Sequence, residues 1–325
     1  MFIILYRILP IFIDWTSAME LVKESEMSYH DPKINKAEIM HQPGVLPSHN
    51  VASFVNQSKT MQRLVDLGTK ISEWEKNDHL NLAYQLDFAN DVVPRIHFLI
   101  DHGVNANIIG DLFTKNPDLF DQSIEDLNVR INYLTWKNFN KNQIRNIILL
   151  SDSKWLNFQV LNIDSRLGFM QKLFNLNPKE VKQLTSTCPQ LVIWKGTPTQ
   201  VENNLMDLKH AMGFKYQEIK DILLRAPNVF MEQDSETIQN RFDVLHNDMG
   251  YSHELIAKMP KCLTVDHLEI SIRYKFLQKL GRDQFNPKKP NYVNPEHLAT
   301  SNDVIFCNEI AKVPVQLFNK FQQTI

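Results

Sequence analysis

Leu184-Thr185-Ser186-Thr187-Cys188-Pro189-Gln190-Leu191-Val192 and Ile222-Leu223-Leu224-Arg225-Ala226-Pro227-Asn228-Val229-Phe230 are one phrase written twice. In each, an apolar helical run meets a proline and a pair of apolar residues follows. Proline removes a backbone donor and disfavours helix in the residue before it, so the run must stop there. The apolar pair that follows reads as a plug for a core. The step from Pro189 to Pro227, about 38 residues, is the period of a helical repeat array. In such an array a single hairpin cannot bury its own apolar face, and neighbours must stack.

Working outward, the phrase recurs in register. Ile109, Leu112 and Phe113 lead into Asn116-Pro117-Asp118-Leu119-Phe120, and Leu255 and Ile256 lead into Met259-Pro260-Lys261-Cys262-Leu263. Between them, Ile144, Ile148 and Leu149 lead into Asp152-Ser153-Lys154-Trp155-Leu156, where Ser153 stands in the proline slot. The slots Pro117, Ser153, Pro189, Pro227 and Pro260 thus recur at nearly even steps, the last one shortest. Helix-start signals accompany them: Asn140 with Gln143 three residues on, Asn177 followed by Pro178 and Glu180, and Ser252 before the last repeat. The expected fold class is all-α, a solenoid of repeated helix units.

The flanks set the domain organisation. Residues 1–20 hold an apolar run, Phe2 to Ile13, too short to span a bilayer and readable as a targeting segment, although Arg7 is its one basic residue and Asp14 follows soon after. Residues 21–58 are polar, with Pro32, Pro43 and Pro47, and read as a linker. The repeat domain is expected over 59–325. Its N-terminal cap spans 59–103, where Leu64, Leu67, Ile71 and Trp74 recur at helical spacing; the repeats span 104–280, and a C-terminal cap 281–325.

Composition narrows the function. The chain has 325 residues, 43% hydrophobic, with only nine glycines and a net charge of −2, so any nucleic-acid role needs local segregation of charge. Cys188, Cys262 and Cys307 form no C-x-x-C pair and read as packing residues. No Walker loop, G-x-G-x-x-G or H-E-x-x-H motif occurs; after His253-Glu254 the second ligand of that motif is missing. His97 and His102 read as surface or capping residues. The expectation is a protein that is not an enzyme and holds no cofactor or metal.

One polar position does repeat. Arg130, Arg166, Arg241 and Arg273 each follow a slot at nearly the same distance, with apolar residues one and four positions further on. The middle repeat has Asn203 there. In a solenoid such equivalent positions align along one face. Two readings compete: a row of guanidiniums meeting successive phosphates, or braces between repeats, tied to carboxylates such as Asp126, Asp164 or Asp243. They separate on Arg166→Ala and Arg273→Ala, since phosphate ligands lose affinity and braces lose melting temperature. A second signal is the basic run Arg273, Lys275, Lys279, Arg282, Lys288 and Lys289, opposed only by Asp283 and interleaved with aromatics. It reads as a solvated face or as a phosphate-binding end. The stretch from Glu232 to Glu269 is net acidic.

Lys115-Asn116-Pro117-Asp118-Leu119-Phe120 and Arg225-Ala226-Pro227-Asn228-Val229-Phe230 resemble the repeat of the mitochondrial transcription termination factor (mTERF) family. Arg166-Leu167-Gly168-Phe169 narrows the likeness. The C-terminal stretches from Gly281 to Tyr292 and from Ile305 to Lys312 are similar to one animal subgroup of it. The resemblance implies a curved, half-doughnut superhelix in the mitochondrial matrix that binds nucleic acid along a basic concave surface. It further implies a protein that represses transcription of mitochondrial DNA and supports ribosome assembly through ribosomal RNA; separately, a monomer without a membrane span is expected. Transcription or ribosome-assembly proteins are the implied protein partners, and no catalysis or cofactor is implied. Against this stands a helical-repeat scaffold that holds a protein partner, which the near-neutral charge favours.

Overall fold

The computed structural model describes residues 55–56, 58–194, 198–232 and 235–324. The expected targeting segment and nearly all of the linker lie outside them. Among the described residues the chain is all-helical, with many short helices and no strand. It divides into two compact units, one up to Asp164 and one from Ser165.

The five phrases form the same three-part element. The first helices are Ile109–Lys115, Lys141–Leu150, Pro178–Thr187, Tyr216–Arg225 and His253–Lys258. A single short turn of helix follows each, at Pro117–Asp121, Lys154–Asn157, Pro189–Ile193, Pro227–Met231 and Pro260–Thr264. Second helices then run Ile124–Trp136, Val160–Leu173, Pro198–Met206, Ser235–Asp243 and His267–Lys279. The expected caps are present. Asn140 and Asn177 each form a reciprocal capping box, with Gln143 and Glu180, and Ser252 Oγ accepts from the Leu255 N–H.

Proline sets the corner. The residues before the four slot prolines, Asn116, Cys188, Ala226 and Met259, share one conformation, with φ between −144° and −128° and ψ between 54° and 71°. That geometry follows from the clash a proline ring imposes on its predecessor. Proline then starts the short turn, where its missing N–H costs nothing. The plugs behave as expected: Leu119, Phe120, Trp155, Leu156, Leu191, Val192, Val229, Phe230, Cys262 and Leu263 are all buried.

Ser153 reaches the same corner differently. Asp152 and Ser153 both adopt left-handed backbone, with φ of 50° and 59°. The Ser153 N–H, which a proline would lack, donates to Ile148 O at 2.7 Å. Its fully buried Oγ accepts from Asn116 Nδ2 at 3.0 Å, beside a reciprocal amide pair between Asn116 and Asn157.

The N-terminal helices are fastened to the first repeat. Trp74 is buried and its Nε1–H donates to Phe113 O at 3.0 Å. Gly110 lies against the backbone of Leu67 and Gly68, where any Cβ would collide. In the second unit one core runs from Met170 to Phe318, with Phe174 and Phe230 edge-on at 5.1 Å and Phe276, Phe306 and Phe318 clustered near its end.

Restoring the repeat's proline at Ser153 is therefore expected to harm the protein. Proline locks its own φ in the negative region, whereas the chain holds 59° here, and Ser153→Pro also deletes two buried hydrogen bonds. A loss of about 3 kcal/mol or more in urea unfolding is expected; equal or higher stability would show that the left-handed corner is not required.

Candidate nucleic-acid interface

The short turns create a need. A helix that stops after one turn leaves carbonyls without intrahelical partners, and these lie buried beside the plug. The arginine column meets that need. Arg130 Nε donates to Phe158 O at 2.8 Å and Nη2 to Gln122 Oε1 at 2.7 Å. Arg166 Nη1 donates to Val192 O and Trp194 O, at 3.1 and 2.6 Å. Arg241 Nη1 donates to Leu263 O at 3.1 Å and pairs with Glu232 at 2.7 Å. Arg273 Nη1 donates to Leu298 O and Ala299 O, and Nη2 pairs with Glu269 at 2.6 Å and Asp303 at 2.9 Å.

Arg130, Arg241 and Arg273 are buried, Arg273 to 1% exposure, and Arg166 is half-buried. A guanidinium so enclosed as the first three, with its donors turned to the chain, has no face to offer a phosphate. The geometry is that of braces, each from a second helix to the turn or helix that follows in sequence. The acceptors are mainly carbonyls; Asp126, Asp164 and Asp243, expected as partners, are not the acceptors of Arg130, Arg241 or Arg273. Desolvation depresses the pKa of Arg130, partly offset by Asp126 nearby.

Two members escape the sequence rule. Arg95 Nε donates to Leu119 O and Nη2 to Phe120 O and Gln122 O, at 3.1, 2.8 and 2.6 Å, so the N-terminal cap carries the same brace. In the middle repeat the equivalent residue is Asn204, not Asn203. It is 1% exposed, and its Nδ2 donates to Phe230 O at 3.2 Å and Glu232 O at 3.0 Å. A signal was present in both cases. Arg95 has Ile96 and Leu99 one and four positions on, and Asn204 has Leu205 and Leu208, whereas Asn203 is followed by Asn204 and Asp207.

The basic end is built otherwise. Lys275 and Lys279 lie exposed on the last second helix, with the Lys279 ammonium 5.3 Å from the centre of the Phe321 ring. Arg282 is exposed but donates to Ala311 O. Beyond it, residues 284–293 form a loop closed at its base by Val293 N–H to Gln284 O at 2.7 Å. Asn286 Oδ1 accepts from the Lys288 N–H, and Phe285 packs 5.3 Å from Tyr251 and 5.6 Å from Tyr274. Tyr251 is buried, donates to Val293 O at 2.7 Å, and has its ionisation pushed strongly upward by burial. The loop thus holds Lys288 and Lys289 in solvent on a fixed base, with no ion pair to either among the described residues. Beside it opens a cleft of about 670 Å³ lined by Glu254, Lys258, Asp283, Phe285 and Lys288, of mixed charge.

The three cysteines are buried. Burial pushes the Cys262 thiol up to about 12 and also raises Cys188 and Cys307, as packing residues would show. His97 is exposed, and His102 contacts Phe98 O at 2.7 Å. Among the described residues no three His, Cys, Asp or Glu side chains are placed to hold a metal, and no helix is long and apolar enough to cross a membrane.

The mTERF family model matches residues 50–200 and 195–303. The chain is 34% identical over 280 residues to transcription termination factor 3, mitochondrial, of Drosophila melanogaster, covering 86% of this chain and 78% of that protein. It is 35% identical over 286 residues to the proteins of that name in Mus musculus and Rattus norvegicus, covering 88% of this chain and 68% and 69% of theirs.

Replacing Arg273 by Ala leaves two buried carbonyls and two carboxylates without their donor. The expected loss is about 3 kcal/mol of unfolding free energy, with Arg273→Lys recovering only part because an ammonium cannot span the fork. Asn204→Ala should cost less, about 1–2 kcal/mol. Chemical denaturation of the three variants checks the ranking.

Proposed function

The chain belongs to the mTERF family, and from that premise we propose that it is a non-enzymatic, mitochondrial nucleic-acid-binding regulator. In this reading it works in the matrix, represses transcription of mitochondrial DNA, and supports ribosome assembly by binding ribosomal RNA. The observation that carries the nucleic-acid contact is the C-terminal basic end, where Lys275, Lys279, Lys288 and Lys289 stand exposed and two of them ride on a braced loop. Preorganised cations lose little freedom on meeting a phosphate backbone, and release of counterions from that backbone supplies the driving force.

Arg130, Arg241 and Arg273 take no direct part in this reading. They hold the array in shape, and Arg282 steadies the approach to the loop through Ala311 O. Phosphate contact is accordingly assigned to lysines, which meet phosphates as point charges. Binding through this end should track shape and charge more than base sequence.

The triple variant Lys275→Glu, Lys288→Glu, Lys289→Glu is expected to fold normally and lose about tenfold or more in affinity for duplex DNA and for structured RNA at low salt. The log–log salt slope on duplex DNA should become shallower by roughly 0.9 for each phosphate contact removed. Unchanged affinity and slope would remove this end from the interface; a loss on RNA but not DNA would make RNA its ligand.

A further inference from the structure

The last turn of the first repeat's second helix, Ile124–Trp136, carries an exposed aromatic that the repeat does not require. Trp136 is 72% exposed, Val129 on the same helical stripe is 56% exposed, and Leu161 is 80% exposed. Four contacts join Trp136 to Tyr133, Lys137 and Asp164. Tyr133 OH donates to Asp164 Oδ1 at 2.6 Å, Lys137 Nζ pairs with the same carboxylate at 2.8 Å, and the Lys137 ammonium lies 4.9 Å from the Trp136 ring centre and 5.4 Å from that of Tyr133. Leu161 stands three residues before Asp164, one turn away on the same helix face.

The repeat register shows that this patch is local. Counting from the brace, Trp136 is six residues on; the corresponding positions are Lys172 after Arg166, His210 after Asn204, Asn247 after Arg241 and Lys279 after Arg273. All four are exposed and polar. Stacking of the array therefore makes no demand for an apolar residue at this place. A fixed, solvent-facing Trp with apolar neighbours is the composition of an interaction hot spot rather than of a repeat surface.

The charge around it selects the partner. Glu125 lies four residues before Val129 on the same stripe, Asp126 lies seven before Tyr133, and both are exposed. The cation seated on the two rings, Lys137, is committed to Asp164. A phosphate backbone would meet those two exposed carboxylates. We propose that the Val129–Trp136–Leu161 surface docks a protein partner through a segment that presents apolar anchors flanked by Lys or Arg. The site shares no residue with the basic end and does not depend on it. The anchors would cover Trp136 and Leu161, and the flanking cations would pair with Glu125 and Asp126.

The test uses the full chain and two synthetic amphipathic peptides of about 20 residues with the same Leu and Phe face, one flanked by lysines and one by glutamates. Binding is followed by tryptophan fluorescence and acrylamide quenching, with Trp136→Phe identifying the reporting ring. The lysine peptide should bind at least about tenfold tighter than the glutamate peptide and protect Trp136 from quenching. Leu161→Ser combined with Glu125→Lys should abolish that preference while leaving melting temperature and duplex DNA affinity unchanged. Equal binding of the two peptides, or an unaltered preference in the variant, overturns the proposal. So does loss of duplex DNA affinity in the variant, which would make nucleic acid the occupant, or self-association of the native chain through Trp136 in analytical ultracentrifugation.

Discussion

Each repeat depends on one hydrogen-bonding problem. The chain must turn sharply between two helices, and the short turn that does so leaves carbonyls facing a dry interior. An unpaired buried carbonyl costs on the order of 1–3 kcal/mol, enough for a few of them to erase a domain's stability. Arg95, Arg130, Arg166, Asn204, Arg241 and Arg273 supply the missing donors, each reaching forward to backbone at or near the end of the next turn or helix. The guanidinium suits this task because one planar fork can satisfy two or three acceptors at once, as Arg95 does at Leu119, Phe120 and Gln122.

Two repeats meet the same constraint with different residues. At Ser153 the proline is absent, and a pair of left-handed residues turns the chain while the serine N–H and Oγ take up buried partners. At Asn204 the arginine is absent, and a shorter amide reaches Phe230 O and Glu232 O with its two N–H groups. In each case the backbone requirement is kept and the side chain is free to vary. That is why the repeat is better recognised by the spacing of its apolar plugs than by any single polar residue.

The braces also decide where charge remains for a partner. Guanidiniums turned inward cannot contribute to a surface, so surface cation chemistry in this chain rests on other side chains. Lys275, Lys279, Lys288 and Lys289 gather near the C-terminal end, whereas Glu125 and Asp126 accompany the exposed Trp136 and Val129 on the first repeat's second helix. Surfaces of opposite character on one chain favour two kinds of partner, one polyanionic and one apolar with basic flanks.

The sequence by itself determined the period, the corners and the helix starts. Proline geometry, apolar spacing and Asn or Ser caps are local properties, and each is expressed within a few residues of where it is written. It also located the recurrent arginines, and the rule of apolar residues one and four positions on holds for Asn204 and Arg95 as well. Only the tertiary structure decided what those side chains hold. The backbone carbonyls they reach lie 22 to 28 residues away in sequence, and a carbonyl is a group every residue carries and no side chain advertises. A donor can be read from a sequence, but a carbonyl left open by a tight turn becomes visible only when the chain has folded around it.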